Sequence, residues 1–136
     1  MSEQHPIEVT FDFSGTVSIV TGSGGGIGQA YAEAIAAAGG AVVVADIDAD
    51  RAEGVAAGIR ATGAQALAVR VDVSDPASAQ AMADTTIDEF GGIDNLVNNA
   101  AIFGGMQLDA LVSVDWDYLT RFMAVNQMGA LACTRA

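Results

Sequence analysis

Thr21-Gly22-Ser23-Gly24-Gly25-Gly26-Ile27-Gly28 lies between a short apolar run, Val17-Ser18-Ile19-Val20, and an alanine-rich stretch over residues 29–38. An apolar strand, a glycine turn and then a helix is the order that anion binding requires. The first amides of a helix have no intrahelical acceptor, and the helix dipole adds partial positive charge there. Glycines let the backbone approach a pyrophosphate where a Cβ would stand in the way. The spacing is not G-x-G-x-x-G, because isoleucine stands at 27 and glutamine at 29; it is T-G-x-x-x-G-x-G over Thr21, Gly22, Gly26 and Gly28.

Asp46 ends the next apolar run, Ala41–Asp46. An acid at such a strand tip accepts hydrogen bonds from the adenosine ribose hydroxyls and repels a 2′-phosphate, which favours NAD over NADP, or else merely caps the next helix, for which Asp48 and Asp50 already serve. No arginine lies in the glycine turn or directly after Asp46 to meet that phosphate. The run Asp46-Ile47-Asp48-Ala49-Asp50 is not a calcium loop, because arginine and alanine occupy positions 51 and 57, where such a loop needs glycine and glutamate. Asp72-Val73 falls at the end of a third apolar run, where a carboxylate can take the adenine amino group or simply stand beside the next helix cap. Asn98-Asn99 follows a fourth run, and two consecutive amides there either tie neighbouring backbone or touch the ribose. Trp116, Leu119, Met123, Asn126, Ala130 and Cys133 follow helical spacing and are expected on one face. Asn126 is then an amide on an apolar stripe, satisfied within the core or placed in a bend of its helix.

The elements that must hold these residues can be read from the same pattern. Strands are expected over Val17–Thr21, Ala41–Asp46, 66–73 and 94–99, and helices over 27–38, 49–62, about 76–90 and 114–136. Asp75-Pro76 is an N-cap followed by proline at the first helical position. The nearly unbroken apolar runs suit a parallel sheet covered on both faces. Alternating strands and helices give an α/β, Rossmann-like, doubly wound parallel sheet in the order 3-2-1-4. Residues 1–13 are expected to be a polar lead-in and 14–136 the dinucleotide-binding portion.

Composition narrows the partners. Among 136 residues there are 17 acids and five cations, giving a net charge of −12. Nucleic acid and anionic membrane surfaces are therefore excluded as partners. The single cysteine, Cys133, allows no internal disulfide, and no run reaches the length of a membrane span. A cytoplasmic setting is expected.

In this order and spacing, the glycine turn, Asp46, Asp72-Val73, Phe90-Gly91-Gly92-Ile93-Asp94, Asn98-Asn99-Ala100, Trp116 and Val125-Asn126-Gln127-Met128-Gly129 resemble the short-chain dehydrogenase/reductase family. The resemblance runs from about Phe13 to the last residue, with Ala101 where the family usually has glycine. It implies NAD-linked hydride transfer between a small-molecule alcohol and a ketone. It also implies a cofactor site lined by Gly22, Ser23, Gly26, Ile27, Gly28, Asp46, Asp72, Val73, Asn99 and Ala100. Asn126 matches the family's helix asparagine, whose carbonyl helps hold a water in a proton relay. The family's serine and Tyr-x-x-x-Lys pair have no counterpart, since all five cations are arginine; Tyr31, Tyr118 and His5 do not supply one. The expectation is therefore the cofactor-binding front of a longer enzyme, truncated after the fourth strand and the following helix. Its bare sheet edge and apolar helix stripe suggest a homo-oligomer. A non-catalytic dinucleotide-binding module, or a truncated product that only associates, is the alternative.

Overall fold

A computed structural model describes residues 10–103, 110 and 112–136 of the chain. Four parallel strands, β1 (Val17–Thr21), β2 (Ala41–Asp46), β3 (Ala66–Arg70) and β4 (Asn95–Val97), form one sheet in the order β3-β2-β1-β4. Helices α1 (Gly26–Ala37), α2 (Ala49–Ala61) and α3 (Pro76–Phe90) make the crossovers. From β1 the chain winds one way through β2 and β3, then returns to place β4 on the other side of β1. That reversal opens a crevice at the carboxyl ends of β1 and β4, the position where ligands bind in open α/β sheets.

Alternation along the strands builds two cores. Val20, Val42 and Val44 face α1 and α2, meeting Ala32, Ile35, Ala52, Val55, Ala56 and Ile59. Their neighbours Ile19, Val43 and Ala45 point to the opposite face, against Ala79 and Met82 of α3 and Cys133 near the chain's end. Each branched side chain buried in this way contributes about 1.5–3 kcal/mol. Small residues on α1 and α2 let those helices lie close to the sheet.

The third and fourth strands are shorter than the sequence pattern predicts. β3 stops at Arg70 because its partner β2 ends at the paired residue Asp46; one more bond, from Val71 N to the Asp46 carbonyl at 2.8 Å, closes the ladder. Asp72 and Val73 therefore lie just past the strand. β4 pairs with β1 through residues 95–97, and Asn98 and Asn99 lie just past that ladder.

The last helix also departs from expectation. It begins at α4 (Trp116–Met123), widens into a π turn (Ala124–Met128) and continues as α5 (Gly129–Arg135). A wide turn accommodates an extra residue, and each residue advances a helix by about 100°, so the side chains beyond it no longer stay in phase with those before it. The 116–133 stripe is thus not one buried face: Trp116 is 73% exposed, whereas Cys133 is buried. Burial pushes the Cys133 thiol above its ordinary pKa. His5, in the polar lead-in, lies outside the described residues. Among the described residues no helix is long and apolar enough to cross a membrane.

Candidate functional site

The start of α1 differs from those of the other helices that open after a loop. Asp48 caps α2 through bonds to the amides of Asp50 and Arg51, Asp75 caps α3 at Ala77, and Asp115 caps α4 at Tyr118. At α1 the capping position is Gly25, no side chain accepts from the helix, and no acid lies in the first turn. The first intrahelical bond there is from Gln29 N to the Gly25 carbonyl, at 3.2 Å. The amides of Gly26, Ile27 and Gly28 precede that bond and are left to an external acceptor. Uncapped donors at a helix N-terminus fit an anion such as a pyrophosphate.

Close backbone approach shapes the turn around those donors. A Cβ on Gly22 would stand 2.8 Å from the Ala100 Cα, and Gly22 also has a φ of +67°. A Cβ on Gly28 would run into the Gly22 carbonyl oxygen and sit 2.6 Å from Asn99 Nδ2. Asn99 completes the joint, donating from Nδ2 to the carbonyls of Thr21 at 3.0 Å and Gly22 at 3.1 Å. The buried Thr21 hydroxyl donates to the Val97 carbonyl and accepts from the amides of Asn99 and Ala100. These bonds lock the ends of β1 and β4 together, so the two walls of the crevice form one rigid corner.

Asp46 holds the outer side of the turn. Its Oδ2 accepts from Gly24 N at 2.9 Å and its Oδ1 from Asp48 N at 3.0 Å, which leaves lone pairs on both oxygens for a ligand. Asp72 Oδ1 accepts from the amide and the hydroxyl of Ser74, and the Asp72 amide donates to Ser78 Oγ. A cleft of about 510 Å³ gathers Gly22, Asp46, Asp72, Val73, Asn99 and Ala100. Gly26, Ile27 and Gly28 stand at the opening of α1 beside it, with Ile27 71% exposed. Ser23 is placed differently. It is fully buried, donating its hydroxyl to the Val20 carbonyl at 2.6 Å and accepting from Ala45 N at 3.1 Å, so its side chain joins β1 to β2.

Asn126 sits in the π turn and pairs reciprocally with the backbone of Ile102. Its Oδ1 accepts from Ile102 N at 2.7 Å and its Nδ2 donates to the Ile102 carbonyl at 3.2 Å. Asn98 makes a second tie, from Nδ2 to Thr134 Oγ1 on α5 at 3.1 Å. The segment after β4 is thereby fixed against the last helix at two points. Asn126→Leu leaves both Ile102 groups unpaired and is expected to lower stability by about 1–2 kcal/mol. A shift in the denaturant midpoint with an unchanged slope checks this.

Two charged groups at the cleft escape a motif search. Arg51, from the first turn of α2, donates its Nε to the Gly24 carbonyl at 3.3 Å and lays its guanidinium over Gly25. Arg121 of α4 lines the far wall with Val125, one helical turn on. The absence of an arginine beside Asp46 in sequence thus does not hold in space, because α2 folds Arg51 back onto the turn. The clue lay in its helix position, where a cation in a first turn opposes the dipole.

The short chain dehydrogenase family model matches residues 16–136. The chain belongs to this family. An uncharacterised oxidoreductase of Mycobacterium tuberculosis is 59% identical over 124 residues, covering 91% of this chain and 50% of that protein. Galactitol 2-dehydrogenase of Agrobacterium fabrum is 40% identical, over 88% of this chain and 44% of its own length. A short chain dehydrogenase/reductase structure from Burkholderia phymatum in complex with NAD superposes with a TM-score of 0.86 at 35% identity, covering 93% of this chain and 44% of that one. This short chain dehydrogenase chain therefore spans about half the length of the relatives it matches.

Proposed function

We propose that residues 14–136 are the NAD-binding portion of an oxidoreductase that moves a hydride between a small-molecule alcohol and a ketone. The observation that carries this reading is the uncapped start of α1, set in a glycine turn whose neighbours Asp46, Asp72 and Asn99 converge on one cleft. In the bound state the α1 amides take the pyrophosphate, Asp46 accepts from the adenosine ribose, and Asp72 with Val73 receives the adenine. Ser23, Gly26, Ile27, Gly28 and Ala100 shape the same turn and corner. The nicotinamide, when bound, supplies or accepts the hydride. Asn126 holds the segment at Ile102 and places its helix for the proton relay that the family resemblance implies.

Support for NAD comes from Asp46, whose carboxylate opposes a 2′-phosphate, and from the NAD complex of the Burkholderia relative. The name of the Agrobacterium relative favours a small hydroxylated substrate. A chain without lysine holds no Tyr-x-x-x-Lys pair, which favours binding without turnover by these residues alone. The exposed apolar side chains of the last helix, Trp116, Met123, Met128 and Leu131, suit association with further copies. A cytoplasmic setting suits the single buried thiol.

Titrating the protein with NADH and following nucleotide fluorescence tests the reading. Saturable one-to-one binding, displaced by NAD and by ADP-ribose, is the expected result. No saturable binding by either reduced dinucleotide would overturn it.

A further inference from the structure

Arg51 is stationed at a place that its own helix disfavours. It lies in the first turn of α2, where Asp48 Oδ1 accepts its amide at 3.1 Å and where a cation meets the positive end of the dipole. The guanidinium finds no carboxylate there: the ion pair found among the described residues is between Arg60 and Glu53, on the far side of the helix. Its hydrogen bond is a long one, at 3.3 Å, to a neutral carbonyl. Asp46 stands directly across. A Cβ on Gly24 would be 2.9 Å from both the Arg51 Cβ and Asp46 Oδ2. The Gly24 peptide is therefore held at its N–H by the acid and at its C=O by the arginine. Asp46 and Arg51 flank Gly24 at the adenosine end of the cleft without forming an ion pair.

We propose that Arg51 is a specificity-determining residue that offsets Asp46, so that the site discriminates between NAD and NADP far less than its strand-end acid alone dictates. This rests on the dinucleotide-binding reading above. With NAD the guanidinium stays on Gly24 and Asp46 takes the ribose hydroxyls. With NADP the guanidinium leaves its weak carbonyl partner for the 2′-phosphate, a planar fork meeting an oxyanion. Exchanging one long neutral contact for charge-assisted bonds is favourable, and it screens the phosphate from Asp46. The residue comes from α2 rather than from the turn or the strand end.

The test is parallel titration with NADH and NADPH of the wild-type protein, Arg51→Ala and Arg51→Lys. Removing the guanidinium is expected to weaken NADPH about tenfold or more while NADH changes by less than about threefold. Arg51→Lys, which keeps the charge and loses the fork, should fall between. Equal weakening of both nucleotides in Arg51→Ala would make Arg51 a clasp of the turn only and overturn the proposal, as would no change in either. Failure of the wild-type protein to bind either nucleotide would instead remove the underlying reading, and this inference with it.

Discussion

Gly28→Ala is expected to remove nucleotide binding while leaving a folded but weakened protein. The added methyl would collide with the Gly22 carbonyl oxygen and stand 2.6 Å from Asn99 Nδ2 and 2.9 Å from the Gly22 carbonyl carbon. Two of these atoms are backbone, held by Asn99 and by the corner that Thr21 ties to β4. None can yield as a flexible side-chain tip would, so the start of α1 must move away from β1. Overpacking of this kind costs about 1–3 kcal/mol in stability. The effect on binding is larger, because the displaced amides are the ones offered to the pyrophosphate. Loss of two charge-assisted bonds lowers affinity by roughly a hundredfold or more. Gly54→Ala is the control: it lies on exposed α2 surface with nothing within 4 Å of the new methyl, and should stabilise by about 0.5–1 kcal/mol. Circular dichroism melts and NADH titration of the two variants separate the effects. Undiminished binding by Gly28→Ala would show that the turn does not hold the ligand.

Asp46→Ala should produce the next largest change. The carboxylate holds Gly24 and Asp48 in the free protein, and the ribose hydroxyls add two further donors. Removing an ionised acceptor of this kind costs about 1.5–3 kcal/mol, or ten- to a hundredfold in NADH affinity. NADPH has only its 3′-hydroxyl bond to lose and escapes a repulsion, so its affinity should hold or rise and the preference should invert. Equal losses for the two nucleotides would mean that Asp46 acts only as a brace for Gly24. Asp46→Asn keeps one acceptor oxygen for the brace and carries no charge, and it should invert the preference with a smaller loss of stability.

Much of this arrangement could be read from the chain because short-range signals and long-range pairing agree. The apolar runs at β1 and β2 match strands that are paired on both sides, and their bounds coincide with the pattern. Asp75-Pro76 and Gly91 mark both ends of α3, where the glycine adopts a φ of +85°. Agreement failed where a partner ran out. Val71 and Val73 have the spacing and branching of strand residues, yet β2 ends opposite Arg70, and pairing is a property of two segments. Asn126 on its apolar stripe pointed to a bend as one alternative, but not to its partner, because the bond to Ile102 spans 24 positions of sequence. Arg51 was hidden for the same reason: its role depends on the crossing of α2 over the glycine turn, and no spacing rule covers that approach. Ser23 was legible as part of the motif, but not the direction of its hydroxyl into the β1–β2 joint.

The missing cap of α1 has a consequence for the life of the protein in a cell. A helix that opens without an acceptor is an unfinished piece of secondary structure, and on the reading above the nucleotide finishes it. Folding and loading then become one equilibrium. A ligand at a hundred times its dissociation constant adds about 2.7 kcal/mol to the folded state, a large share of a typical domain's margin. Starvation for the dinucleotide would expose the protein to proteases, and an abundant pool would protect it. Its steady-state amount would then follow nucleotide supply without any dedicated regulator.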